Sequence, residues 1–226
     1  MEDKSLSIAF GDSLVEQLVD GVGEIAEVGI DSVIEEGILK DIPIVSAVIN
    51  TYKICNGVKD WYTLKKLKTF IDEINRGITT KDELQKYREK FMRNDSFRNR
   101  EIEHLYILLD RYIGYEKPKM LAKLYIAYLS DEITWKEFGK YSEIIDRFLP
   151  DDFLELSKGS QHTIRYDKVS DSLLRLVSLG LMVEHSKGAS VDNTCGTLAL
   201  PDPQEKDYDV SDFGKKLINI LRAIKI

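Results

Sequence analysis

Residues 12–38 constrain the fold of this chain more than any other stretch. Seven acids, Asp12, Glu16, Asp20, Glu24, Glu27, Asp31 and Glu35, recur at spacings of four, four, four, three, four and four, which lays them in one stripe along an α-helix. Leu14, Leu18, Val22, Ile25, Ile30, Val33 and Ile38, with Val15, Val19, Ala26 and Ile34, build an apolar face at the same period. Such a face must be buried against something. The helix is expected from about Asp12 to Gly37, with Gly21–Gly23 as the place where it could break, since Gly21, Gly23 and Gly29 each cost up to about 1 kcal/mol of helix propensity relative to Ala. Leu14, Leu18, Val22 and Ile25 on the apolar side, with Glu24, Glu27 and Asp31 on the acidic side, are the candidate interaction residues.

The acidity is local. Residues 1–41 carry eleven acids and two bases, a net −9, whereas residues 42–149 are net +4 and residues 150–226 net −2, within a chain of −7. An acidic arm followed by a mildly basic body implies that the arm lies on the body or on a basic partner, or that it is a solvated surface helix. At 226 residues the chain is long enough for about two domains. Its 43 % apolar and 31 % charged content is that of a soluble globular protein. The start lacks a secretory signal and no window reaches about eighteen uninterrupted apolar residues, so a cytoplasmic protein is expected. Cys55 and Cys195 stand in dissimilar surroundings and signal neither a disulfide framework nor a zinc site.

The remaining periodicity reads as a run of helices. Pro43 opens an almost wholly apolar helix to about Asn56, suited to a central core position. A helix over about 59–76 places Trp61, Leu64, Leu67, Ile71 and Ile74 on one side and Lys65, Lys66 and Lys68 largely on another, with Gly77 as its stop. Thr80 and Glu83 form a capping box for a helix to about Met92. Asp95-Ser96 opens a helix carrying Ile102, Leu105, Leu108, Leu109 and Tyr112, Pro118 starts one through Tyr128, and a second capping box, Thr134 with Glu137, opens one that ends before Pro150. Beyond Pro150 the texture changes. A short helix at 151–156, a helix at about 167–179 stopped by Gly180, a strand at 181–184, a long polar loop from Lys187 to Lys206, a strand at 208–210 and a last helix capped by Ser211 are expected.

Three resemblances follow from these runs. Leu173-Leu174-Arg175-Leu176-Val177-Ser178-Leu179-Gly180-Leu181-Met182, with Tyr208-Asp209-Val210-Ser211-Asp212-Phe213-Gly214-Lys215-Lys216-Leu217 beyond the loop, resembles winged-helix domains, in which a helix ends in LxxLGLI and YxLTxxGxxL opens the closing helix. Ala127-Tyr128-Leu129-Ser130-Asp131-Glu132-Ile133-Thr134-Trp135-Lys136-Glu137-Phe138 looks like the helical hairpin of tellurite-resistance TerB domains. There Ser130 stands where that family has Asp and Asp131 where it has Gly, and only Glu137 of the acidic pair is retained. The chain as a whole is similar to uncharacterised bacterial proteins found among prophage and anti-phage defence genes, including accessory proteins of the abortive-infection type. The fold these readings imply is mainly α: an N-terminal arm and core helix at 1–57, a helical bundle at 58–149 and a winged-helix-like α/β segment at 150–226.

No phosphate-binding loop, dinucleotide fingerprint, GxSxG, HExxH or paired CxxC occurs, so no enzyme class with a local signature is indicated and no catalytic, cofactor or metal residue is assigned. Glu101 and His104, three apart on a helix, would suit a metal pair, but a solvated helix face is favoured. The tyrosines of the middle segment, interleaved with Arg98, Arg100, Arg111, Lys117, Lys119 and Lys123, suit a groove for single-stranded nucleic acid, and half-buried packing is favoured for them too. The leading expectation is a non-enzymatic interaction or adaptor protein that binds a protein partner or a second copy of itself. A winged-helix regulator reading nucleic acid through Lys168, Arg175 and Lys187 is the alternative, disfavoured by Asp167 and Asp171 on the same element and by the net negative segment. A membrane-acting effector ranks third, because the acids of the arm repel anionic headgroups.

Overall fold

The structure is a computed structural model that describes residues 58–77, 95–186, 190–191, 198–199 and 205–222. The helices expected over 12–37, 43–56 and 80–92 lie outside the described residues. The chain divides into two compact units, Met1–Asp146 and Arg147–Ile226. It is mainly helical with a small three-stranded antiparallel sheet.

The described part of the first unit consists of α1 (Val58–Gly77), α2 (Asp95–Arg111), α3 (Glu116–Leu129) and α4 (Trp135–Arg147). α1 packs chiefly on α3 and also on α2, with Leu64, Leu67, Phe70, Ile71 and Ile74 buried against the partners' Leu105, Leu108, Leu109, Leu121 and Leu124 layer. Aromatic rings fill the rest of the core. Tyr125 stands 5.8 Å from Phe70 and 5.9 Å from Phe138, ring centre to ring centre, which are ordinary tilted and edge contacts.

The basic side expected of α1 is not all solvated. Lys66 is 1 % exposed, and its ammonium donates to the carbonyls of Asp110 at 2.9 Å and Tyr112 at 2.8 Å. Those carbonyls are among the orphan acceptors at the end of α2, where the helix dipole also favours a cation. Thr63 donates to the Asp110 carboxylate at 2.9 Å, and the Gly114 N–H donates to the Tyr62 hydroxyl at 2.8 Å. One turn and a half of α1 therefore grips the α2–α3 corner, where Gly114 takes a φ of +77°. Helical periodicity placed Lys66 away from the apolar stripe but carried no information about a carbonyl cluster forty-odd residues further on.

The capping box at Thr134 forms as read. The Thr134 N–H donates to the Glu137 carboxylate at 2.8 Å and the Glu137 N–H donates to the Thr134 hydroxyl at 3.2 Å. Before it, Asp131 adopts φ +59°, a left-handed conformation that Asp tolerates better than most side chains.

In the second unit the described elements are α5 (Asp152–Ser157), β1 (Gln161–Arg165), a 3-10 turn (Tyr166–Lys168), α6 (Asp171–Ser178), β2 (Met182–Ser186), β3 (Ser190–Val191), β4 (Leu198–Ala199), β5 (Glu205–Val210) and α7 (Asp212–Arg222). The sheet order is β1-β5-β2, both pairings antiparallel, and β3 pairs with β4 as a separate two-stranded ribbon. Three details differ from the sequence reading. β1 had no strand signal; α6 starts at Asp171 behind the Ser170 cap, whose hydroxyl accepts from the Leu173 N–H at 3.1 Å; and β5 begins at Glu205, inside the expected loop. Glu205, Lys206, Asp207 and Asp209 make β5 read as a polar loop, but only Tyr208 and Val210 need to face the core, and its backbone pairs on both sides.

The ends of α6 and α7 interlock. The Gly180 N–H bonds the Val177 carbonyl and the Leu181 N–H bonds the Leu176 carbonyl, with Gly180 at φ +73°, the double bond of a Schellman stop. The Ser211 hydroxyl meets the Gly180 carbonyl at 2.7 Å and accepts from the Gly214 N–H at 3.0 Å. A Cβ on Gly214 would lie 2.2 Å from the Leu181 carbonyl oxygen. Glycine is thus required where α7 crosses the start of β2.

Candidate interaction surface

Leu14, Leu18, Val22, Ile25, Glu24, Glu27 and Asp31 lie outside the described residues, as does Lys187. Lys168 is exposed in the 3-10 turn. Arg175 faces inward. Its Nε donates to both carboxylate oxygens of Asp152, at 3.0 and 2.8 Å, tying α6 to α5. Asp152 is fully buried and also accepts the Leu149 N–H at 2.6 Å. Burial alone would raise the pKa of this carboxyl, but hydrogen bonds from Arg175, Leu149 and Ser172, together with the arginine charge, outweigh it and hold the group below the ordinary Asp range. Asp152, in the first turn of α5, is the buried anchor of the unit. The signal that would have found it is the basic residue 23 positions later, and nothing local points there.

With Arg175 engaged, the solvent stripe of α6 is Asp171, Leu174 and Ser178, at helical spacing and all exposed. Leu174 is 43 % exposed, and Val183 on the neighbouring β2 is 42 % exposed. This stripe offers an acid, an apolar group and a hydroxyl. A helix that reads a DNA groove instead presents Arg, Lys, Asn or Gln.

In the first unit Glu101 is buried, contrary to a solvated face. Its carboxylate accepts the Tyr128 hydroxyl at 2.5 Å, and burial with this carboxylate pushes the Tyr128 pKa far up. His104 is half-buried with its ring 5.6 Å from Trp135, and burial lowers its pKa, opposed by Glu143 and aided by Arg111. Among the described residues no group of three or more His, Cys, Asp or Glu side chains is placed to hold a metal ion. Trp135 stacks on Phe138 at 4.8 Å and lies 5.2 Å from Tyr128, so these rings pack on one another. Four of the six bases read beside them are engaged or buried: Arg111 pairs with Asp146 and with Glu143 at 3.7 Å, Lys117 donates to the Asp146 carbonyl at 2.6 Å, Lys119 pairs with Glu116 at 2.8 Å, and Lys123 is buried. Tyr141 is likewise interior, its pKa pushed up to about 12 by burial and by Glu137.

Comparison of the chain with protein-family models, with curated proteins and with solved structures finds no match in any of the three. Among the described residues no helix is long and apolar enough to cross a membrane.

Proposed function

We propose that this chain is a non-enzymatic interaction or adaptor protein whose second unit is a winged-helix-like module turned to protein contact, and that it works in a bacterial anti-phage setting of the kind its sequence resembles. The solvent stripe of α6 carries the reading. In a winged-helix arrangement that helix faces the ligand, and here it presents Asp171, Leu174 and Ser178 while Arg175 is held inward by Asp152. Support for the arrangement itself comes from the strand order β1-β5-β2 with a ribbon inserted between β2 and β5. A large apolar side chain standing in solvent suits a protein surface better than a phosphate backbone.

A photo-crosslinking amino acid at position 174, used in cells that carry the full chain, tests the proposal. Protein adducts that vanish when Asp171, on the same stripe, is replaced by Lys are expected. Adducts to nucleic acid, or salt-sensitive retardation of oligonucleotides by the purified chain, would overturn it in favour of the winged-helix regulator.

A further inference from the structure

We propose that the seam between α2 and α4 is a docking surface for the chain's own acidic stretch, residues 12–38. His104 meets Trp135 near one end of the seam, and Arg111 meets Glu143 and Asp146 near the other. Residue numbers rise together on the two helices, so α2 and α4 lie side by side and run in the same direction. Between those contacts α2 presents Ile107, 49 % exposed. On the solvent side of α4 stand Lys136 and Lys140, one turn apart and exposed.

Most cations of this unit are engaged. Lys66, Lys68, Arg76, Arg111, Lys117 and Lys119 each reach a carbonyl or carboxylate, whereas Lys136 and Lys140 reach no partner among the described residues. The surface is a half-exposed isoleucine on α2 and, on α4, two ammonium groups at helical spacing that have no partner among the described residues.

Residues 12–38 match that chemistry. They hold eight acids and no base, and seven of those acids repeat every three or four residues, as Lys136 and Lys140 do. Leu14, Leu18, Val22 and Ile25 supply the apolar counterpart to Ile107. The nineteen residues between Ile38 and Val58 allow a reach of up to about 65 Å, well beyond the ~26 Å length of α2. The stretch can therefore meet the seam of its own chain, at the effective concentration that tethering provides. Nucleic acid is the other polyanion to consider, but it is not tethered to the chain and brings no aliphatic face to meet Ile107. The inference rests on the interaction-protein reading: docked in this way, the arm keeps its apolar face covered until a partner offers a better surface.

Zero-length carbodiimide coupling of the full chain at micromolar dilution tests the contact. Amide links from Lys136 or Lys140 to acids of 12–35 are expected in the monomeric species, with Lys158–Glu155, 2.7 Å apart, as the internal standard. In parallel, hydrogen exchange over 12–38 should quicken about fivefold in the Lys136→Glu, Lys140→Glu double variant, and likewise in about 0.5 M salt. Adding Glu24→Lys and Glu27→Lys to the double variant should slow it again. Coupling at Lys158 without coupling at Lys136 or Lys140, links confined to a dimeric species, unchanged exchange, or oligonucleotide binding that depends on these lysines would each overturn the proposal. Missing coupling, dimer-only links or unchanged exchange leave position 174 in the other unit untouched, whereas oligonucleotide binding counts against both readings, so the two failures are told apart.

Discussion

Lys66 and Asp152 are the most deeply buried charges of their units, and they are satisfied by opposite means. Lys66 in the first is neutralised by backbone: two carbonyls at the end of α2 accept from it, and no side chain has to be supplied. Asp152 in the second is neutralised by one guanidinium on another helix. A lysine on carbonyls is held as long as the corner holds. A carboxylate on an arginine takes its countercharge from one side chain, and it answers to pH.

Replacing Arg175 by Ala should produce the largest effect, because it strands a fully buried carboxylate. The second unit should melt roughly 10–20 °C lower, as read by calorimetry and by hydrogen exchange localised to residues 147–226. A loss confined to ligand binding, with the melting midpoint unchanged, would break the contrast between the units. The acid limb sharpens it. Asp152 titrates below the ordinary Asp value of about 3.9 in the folded chain, so its contribution is fully present above that pH and disappears as pH falls through the folded value. Asp152→Asn should destabilise the unit near neutrality and flatten the dependence of stability on pH below about 4 in urea titrations.

Gly214→Ala ranks next, at about 3 kcal/mol, since a methyl group 2.2 Å from the Leu181 oxygen forces α7 off the sheet. Chemical denaturation followed through the second unit measures it. Lys66→Met, in the other unit, keeps the length of the side chain and removes its donors. It should cost about 2 kcal/mol by leaving two carbonyls without their cation, and exchange should rise first at the α2–α3 corner. Thr134→Ala is the smallest at about 1 kcal/mol, the worth of one cap, seen as a small shift in the denaturation midpoint. If Lys66→Met showed as steep an acid dependence as Arg175→Ala, the distinction between backbone and side-chain neutralisation would fail.

The same contrast explains what was legible in the sequence. Thr134 with Glu137, Gly180, Ser211 and Gly77 could be read because their partners lie within a few residues, and propensity and capping act over that range. Lys66 reaches 44 residues to Asp110, and Arg175 reaches back 23 to Asp152. No local pattern encodes either contact, so one residue was placed in solvent and the other offered to a nucleic acid. β1 and the first half of β5 escaped for a related reason. A strand with one buried face and two hydrogen-bonded edges needs only Tyr208 and Val210 to be apolar, and the rest of β5 can be as charged as a loop. Of the candidate surfaces, Leu174 stands in solvent because the Ser170 cap fixes where α6 starts, which no apolar pattern encodes.

The strand order also sets a sequence of events. β1 and β2 are complete by residue 186, yet neither pairs with the other; both wait for β5, and Ser211 and Gly214, which brace α7 against the end of β2, come later still. During synthesis, two strand edges are therefore left open until residue 210 has been made. The sheet then forms in a single late step, and β5 with the start of α7 decides whether the strands before them in this unit are protected or left adhesive.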